Sequence, residues 1–340
     1  MAIGEAAFRP TANVRAPDAV RATWPGRRHV LDLDDFSAGE VVQVMDTAAT
    51  MKEVLSRPMK KLPTLRGKTV VTMFYESSTR TRVSFEVAAK ILGADAVNVT
   101  ASGSSVTKGE TLIDTVRTLQ AIGADIVVMR HPQSGSPWVI APRIESAVIN
   151  GGDGWHAHPT QALLDVYTVR ERLGGVRGVN VTILGDVLHS RVARSAIWGF
   201  TLLGANVTLC GPPTLLPREW VSDPSSLPWP VKVTECMDEG MAGADVVMAL
   251  RLQRERMHSG LIPSIREYSR MYGLTRARLA QARPNALVMH PGPMNEGVEI
   301  APDVAHGEQS VIEAQVTNGV AVRMALLYLL SGGNARLEGE

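Results

Sequence analysis

Thr69-Val70-Val71-Thr72-Met73-Phe74-Tyr75, followed after one residue by Ser77-Ser78-Thr79-Arg80-Thr81-Arg82-Val83-Ser84-Phe85-Glu86, decides the fold of this chain. The first run reads as an apolar strand and the second opens a helix, so together they form the leading half of a βαβ unit. Hydroxyls and guanidiniums crowd the junction, where the free N–H groups and dipole of a helix start favour a phosphate. Ser78, Thr79, Arg80 and Thr81 place three hydroxyls, backbone N–H groups and a guanidinium within one turn, which suits the three terminal oxygens of a phosphate. An N-cap on a solvated basic face explains the same residues without a ligand.

Outward from this unit, strands and helices alternate. Strand-like runs at Lys68–Phe74, Ala94–Thr100, Ala124–Met129 and Val148–Asn150 are separated by helical ones at Arg82–Leu92, Thr111–Ile122 and Pro137–Ala147. After a linking helix, Pro159–Arg172, a second series follows at Asn180–Leu184, Asn206–Leu209, Val231–Thr234, Asp245–Leu250 and Ala286–Met289, with the helix Arg191–Leu203 ended by Gly204. The pattern predicts an α/β fold of two doubly wound parallel-sheet domains with a cleft between them, since ligands of such sheets bind at the carboxyl ends of strands. The expected domains are 28–161 and 162–307, with a C-terminal helix within 308–333, centred on Val316–Leu330, packing back on the first. Residues 1–27 read as a mobile extension.

Composition excludes several classes. Lys plus Arg (35) nearly cancels Asp plus Glu (34), so no bulk field draws nucleic acid or an anionic membrane, and basic chemistry must be local. No segment is apolar for long enough to span a bilayer, and the first residues lack the apolar core of a signal peptide. The two cysteines, Cys210 and Cys236, have no zinc or redox spacing, and a reducing cytoplasm is the simplest home. No G-x-G-x-x-G follows a strand and Lys108-Gly109-Glu110-Thr111 lacks the spacing of an NTPase loop, so no nucleotide cofactor is indicated.

Other polar clusters fall at predicted strand ends. Arg130-His131-Pro132-Gln133 follows one strand, and His158-Pro159-Thr160-Gln161 puts His158 and Gln161 on one face at the start of the linking helix. Pro159 at a first helical position has its own structural reason. The loop 101–110 is small, polar and glycine-bearing, a composition suited to a lid carrying Lys108, or simply to a connection. Gly185-Asp186-Val187-Leu188-His189-Ser190-Arg191 and Arg251-Leu252-Gln253 follow two strands of the second half, and their guanidinium forks suit a ligand with two carboxylates. His290-Pro291-Gly292-Pro293 forms an extended turn whose carbonyls have no ladder partner and can accept from a ligand N–H; a cis Gly292–Pro293 bond is compatible with it.

In this order, S-T-R-T-R-x-S-F-E, the Ser104/Lys108 loop, R-H-P-Q, H-P-T-Q, the G-D…R segment, R-L-Q and H-P-G-P resemble the catalytic chains of the aspartate carbamoyltransferase family, from about His29 to Leu330. The resemblance implies an enzyme of pyrimidine biosynthesis that transfers a carbamoyl group from carbamoyl phosphate to L-aspartate, with no cofactor and no metal. It implies that Ser78, Thr79, Arg80, Thr81 and Arg130 hold the phosphate. Thr81, Arg130 and His158 polarise the carbonyl, and Gln161 with the carbonyls of Pro291 and Gly292 accepts from the carbamoyl NH2. Arg191, Arg251, Gln253 and Lys108 hold aspartate. Ser104 and Lys108 would serve the active site of a neighbouring subunit in a homotrimer, and the family leaves room for a regulatory chain or a dihydroorotase partner.

Two rivals are weighed against this. An ornithine carbamoyltransferase would carry H-C-L-P where this chain has Pro291, and ornithine's side-chain amine would be repelled by Arg191 and Arg251. A non-catalytic scaffold would be expected to have lost ligand residues that are all present. One departure stands out: many relatives carry an arginine where this chain has Glu296.

Overall fold

Both halves of the chain are built on a sheet whose central strands are largely buried on both faces, and the helices supply the cover. The computed structural model describes residues 26–100, 110–223, 229–257 and 260–332. The first sheet contains β1 (Thr69–Phe74), β2 (Asp95–Thr100), β3 (Ile126–His131) and β4 (Ala147–Asp153), all parallel, in the order β2-β1-β3-β4. The second contains β5 (Asn180–Leu184), β6 (Asn206–Cys210), β7 (Val231–Thr234), β8 (Val246–Ala249) and β9 (Leu287–Met289), also parallel, in the order β7-β6-β5-β8-β9. β1 leads to β2 on one side while β3 lies on the other, and β5 stands likewise between β6 and β8. The chain therefore reverses its winding at β1/β3 and at β5/β8, and loops leaving those strands diverge to open a crevice. All the strand-end clusters of the sequence, apart from the loop 101–110 and the turn after β9, leave β1, β3, β4, β5 or β8.

Three helices bind the halves together. Pro159–Leu173 packs against Arg191–Leu202, against Ala38–Ser56 and against the C-terminal helix Ile312–Leu330, which also covers Ala38–Ser56 and Thr79–Ile91. The C-terminal helix is apolar nearly all round, as a helix enclosed by three others must be. Ala38–Ser56 opens with a capping box, Ser37 and Glu40 each accepting from the other's backbone N–H, and its buried face of Val41, Val44, Met45, Ala48 and Met51 follows helical spacing.

Three expectations need correction. Pro137–Ala147 is not one helix: Ser136–Ile140 gives way to a 3-10 turn, Ala141–Arg143, because Pro142 has no N–H to donate, and β4 starts at Ala147. β3 extends through Arg130 and His131 instead of ending at Met129. The folded body reaches back to Arg27, whose guanidinium pairs with Asp35 (2.8 Å) and Glu40 (2.7 Å) and lies 3.9 Å from the Phe36 ring centroid. Among the described residues no helix is long and apolar enough to cross a membrane.

Candidate active site

The helix after β1 starts at Thr79, a turn earlier than its periodicity suggested, so Thr79, Arg80 and Thr81 form its first turn. Ser78 occupies the N-cap position in extended geometry but makes no capping bond with its side chain. The N–H groups of that turn are thus left without the side-chain acceptor that an N-cap normally provides. Thr81 is buried, while Thr79 and Arg80 are exposed on the crevice side of the fold.

Arg130 sits where the β3–β4 register slips: Met129 pairs with Asn150, but His131 pairs with Asp153. Such an irregularity re-aims the side chain at that point of a strand. The Arg130 guanidinium donates to Gly151 O (3.2 Å) and Glu76 Oε1 (2.6 Å), and its Nε is buried without a partner. Arg191, first residue of its helix, meets the same carboxylate from the other half of the molecule, donating to Glu76 Oε2 (3.0 Å) and Oε1 (2.6 Å) and to Gly154 O (3.1 Å). Arg256 adds a third cation 3.6 Å from Glu76 and donates to His189 O (3.0 Å). The guanidiniums of Arg191 and Arg130 flank Gly152, where a Cβ would lie 3.0 Å from Arg191 Cζ and 3.2 Å from Arg130 Nη1, and where φ is +117°. Only glycine leaves room for both.

Burial opposes the charge on Glu76, but hydrogen bonds from Arg191 and the charges of Arg130 and Arg191 outweigh it and hold the carboxyl down at about 2. Burial pushes Arg130 down to about 10, and the nearby Arg191 charge acts in the same direction. His158 is buried, with its backbone N–H on Ser195 Oγ (2.8 Å) and its Nδ1 without a partner. Burial, then Arg130, Arg191 and Arg323, keep its pKa well below the usual imidazole range, so it is neutral at physiological pH. This fixes a sign. The unfolded chain binds a proton on His158 that the folded one refuses, so its contribution to stability is present above the ordinary value of about 6.5 and is lost as pH falls below it. Melting curves between about pH 8 and pH 5 should show a shallower acid-side decline for His158→Asn than for the parent; equal slopes would refute the neutral buried imidazole.

Gln161 donates from Nε2 to Asp165 Oδ1 (3.0 Å). Across the crevice, the turn after β9 brings Pro291 O within 3.0 Å of Arg80 Nη1, and Gly292–Pro293 is cis. Gly292 has φ +65°, and a Cβ there would stand 1.6 Å from Arg80 Nη1, so glycine is needed for the guanidinium to reach the turn. A cavity of about 260 Å³ lies beside these groups; Arg80, Gln161, Pro291 and Gln315 line it together with the apolar Val83, Val87, Leu164, Val316 and Val320, whereas Arg130, His158 and Arg191 do not. Among the described residues no His, Cys, Asp and Glu cluster could hold a metal ion.

The structure brings Arg80, Thr81, Arg130, His158, Gln161, Pro291, Gly292 and Arg191 to one crevice. Arg251 leaves β8 on the same side, but its guanidinium is held by Glu255 (2.6 and 3.2 Å). Gln253 is anchored through its backbone N–H to Asp186 Oδ2 (3.1 Å), and Asp186 Oδ1 also receives the His189 ring Nδ1 (2.8 Å). Asp186 thus ties the loop after β8 to the loop that carries Arg191. His131, beside Arg130 in the motif, is used locally: its Nδ1 accepts from Gln133 N (3.0 Å) and lies 2.8 Å from Ser136 Oγ. Ser104 and Lys108 lie outside the described residues. Glu296 stands 3.2 Å from His306 Nε2 in an exposed pair. Sequence reasoning missed Glu76 and Arg256. The available signal for Glu76 was a lone carboxylate between the strand and a run of hydroxyls and arginines, which only a cationic partner could justify at a buried junction.

The carbamoyl-phosphate-binding domain model of aspartate/ornithine carbamoyltransferases matches residues 28–171, and the Asp/Orn-binding domain model matches 177–330. The aspartate carbamoyltransferase catalytic subunit of Roseiflexus castenholzii is 62% identical over 319 residues, covering 93% of this chain and 99% of that protein. Among solved structures, Trypanosoma cruzi aspartate transcarbamoylase in complex with carbamoyl phosphate and aspartate aligns with a TM-score of 0.80 at 29% identity, covering 88% of this chain and 96% of that one. Ornithine carbamoyltransferase from Pyrococcus furiosus aligns with a TM-score of 0.81 at 29% identity, covering 92% and 99%. Shape alone does not separate these two activities.

Proposed function

We propose that this chain, which belongs to the aspartate/ornithine carbamoyltransferase family, transfers the carbamoyl group of carbamoyl phosphate to the α-amino group of L-aspartate, releasing phosphate. The observation that carries this reading is the meeting of Arg80, Arg130, His158, Gln161 and Pro291 at an uncapped helix start, with Arg191 brought alongside from the other half. The phosphate lies on the N–H groups of Thr79, Arg80 and Thr81, with the Ser78 hydroxyl and the Arg80 and Arg130 guanidiniums completing its shell. The carbamoyl oxygen faces Thr81, Arg130 and the neutral His158, which can donate an N–H without adding charge. The carbamoyl NH2 finds acceptors in Gln161 Oε1 and the carbonyls of Pro291 and Gly292.

Aspartate enters second, its two carboxylates meeting Arg191, Arg251 and Gln253. Its neutral amine attacks the carbonyl carbon, and the C=O electron pair moves onto oxygen. When the carbonyl re-forms, the C–O bond to phosphate breaks and the leaving phosphate carries off the amine's proton. Rate acceleration comes from holding the reactants in line and from donors already aimed at the developing oxyanion. A dicarboxylate is favoured over ornithine because the second half presents arginines to the incoming amino acid. Incubating the chain with carbamoyl phosphate and either amino acid should yield N-carbamoyl-L-aspartate and no citrulline; citrulline as the major product would overturn the assignment.

In this reading the enzyme is a cytoplasmic homotrimer of the pyrimidine pathway, and Ser104 and Lys108 reach the site of a neighbouring copy. The exposure of Thr79 and Arg80 leaves a face for such groups. Mixing Lys108→Ala chains with Arg80→Ala chains should restore part of the activity that each variant lacks, because some hybrid sites then carry neither substitution. No recovery on mixing would count against shared sites.

A further inference from the structure

We infer that Asp165 and Gln315 are positioning residues that set which end of the Gln161 amide faces the carbamoyl group and couple that choice to the turn bearing Pro291. The inference rests on the reading of Gln161 as a carbamoyl contact and adds what orients it. Asp165 lies one turn after Gln161 on the same helix and is fully buried. Its Oδ1 accepts from Gln161 Nε2 (3.0 Å) and from Gln315 Nε2 (2.7 Å). Gln315 in turn accepts at Oε1 from the His290 backbone N–H (3.0 Å), and His290 Nδ1 accepts from Gly292 N (2.8 Å). His290 Nε2 stands 3.2 Å from Glu299 Oε1, which also receives Asn295 N (2.6 Å).

The direction of every link follows from chemistry. A backbone N–H can only donate, so the oxygen end of Gln315 must face His290, and its NH2 end must face Asp165. The same Asp165 Oδ1 already accepts from the Gln315 NH2 and so serves as an acceptor atom, and Gln161 must also present its NH2 to it. Turning either amide round would set oxygen against carboxylate oxygen in a buried place. With Nε2 committed, Gln161 has its carbonyl oxygen left for the cavity it shares with Arg80 and Pro291. An acceptor there recognises an NH2 group, whereas an amide donor there would repel it.

The two acceptors required by a carbamoyl NH2, Gln161 Oε1 and the carbonyls at Pro291 and Gly292, therefore stand at opposite ends of one hydrogen-bonded chain: Gln161, Asp165, Gln315, His290, Gly292. The chain connects the linking helix to the second sheet through the C-terminal helix. Arg323, buried on that helix with its Nε unpartnered and its guanidinium 5.2 Å from the Phe85 ring centroid, supplies a positive charge near Asp165. Burial pushes the Asp165 carboxyl up to about 7, against the two amide donors and the Arg323 charge, which favour the ionised form.

Acetyl phosphate provides the test, because it keeps the phosphate and the carbonyl of carbamoyl phosphate and replaces NH2 by CH3. The preference for carbamoyl over acetyl phosphate, taken as the ratio of the competitive inhibition constant of the second to KM for the first, reads NH2 recognition and is insensitive to general damage. Gln161→Leu and Asp165→Leu should each reduce that preference about tenfold, the double variant should lose little more, and inhibition by inorganic phosphate should stay within about twofold of the parent. Gln315→Leu, which releases the Pro291 turn, should reduce the preference about threefold and decides the matter alone if Asp165→Leu does not fold. If Gln161→Leu reduces the preference while Asp165→Leu and Gln315→Leu leave it unchanged, the positioning role is overturned. If Gln161→Leu itself leaves the preference unchanged, the reading of Gln161 as a carbamoyl contact fails first.

Discussion

Arg80→Ala should lower kcat by about a thousandfold while binding of aspartate analogues to the second half changes much less. Arg80 is the one guanidinium at the uncapped helix start that also reaches across the crevice to Pro291 O, 3.0 Å away. Under the proposed function it faces the bond that breaks: its charge would offset the negative charge gathering on the departing phosphate, and its contact with Pro291 would set the turn that receives the carbamoyl NH2. A transition-state contact of this kind affects kcat and kcat/KM alike, unlike a contact made equally in the ground state. Steady-state kinetics with both substrates saturating reads the effect directly. Turnover within about tenfold of the parent would remove Arg80 from the chemistry and return the segment to an ordinary basic helix start.

Glu76→Gln has the second largest expected effect. The parent carboxylate receives Arg130 from its own half, takes both Arg191 contacts from the other half, and has Arg256 at 3.6 Å. A neutral amide of the same size can satisfy only part of this and leaves three cations crowded without a counter-charge. The side chain is about a quarter exposed, so the cost to folding is on the order of 2 kcal/mol, below that of breaking a fully buried pair. The kinetic loss is larger: kcat/KM for aspartate falls about 10- to 100-fold, because Arg191 is no longer held beside Arg130. The acid dependence has a definite sign. A carboxyl held at about 2 contributes stability above its ordinary value of 4.5 that is lost as pH falls toward 2, and Glu76→Gln should abolish that part of the acid-side decline. A variant with parental aspartate kinetics would show that Arg191 is positioned by its helix alone.

The elements themselves were legible in the sequence. The runs around Val70, Ile126, Ile183 and Val247 carry enough β-branched residues to declare buried parallel strands, and their polar clusters fall at strand ends. Ala38–Ser56 escaped the sequence reading even though Ser37 and Glu40 form a capping box, and Pro142 was underweighted as a helix stop. The Ser78 ambiguity between cap and ligand was unresolvable locally, because a capping bond is a matter of side-chain geometry that residue type does not reveal.

Residue types and their order were enough to determine two α/β halves and to nominate a candidate anion site after β1 and the candidate residues Arg80, Arg130, His158, Gln161, Arg191 and Arg251. Tertiary structure alone decided which of these meet and how each is held: Glu76 gathering Arg130 and Arg191, Asp165 and Gln315 orienting Gln161, and Arg251 bound to Glu255. The physical reason is range. Periodicity and turn chemistry report what a residue does to its near neighbours, whereas the Glu76–Arg191 pair spans 115 positions and the Asp165–Gln315 bond spans 150. Such partners are selected by the winding of two sheets and the helix that joins them, and no local pattern announces them.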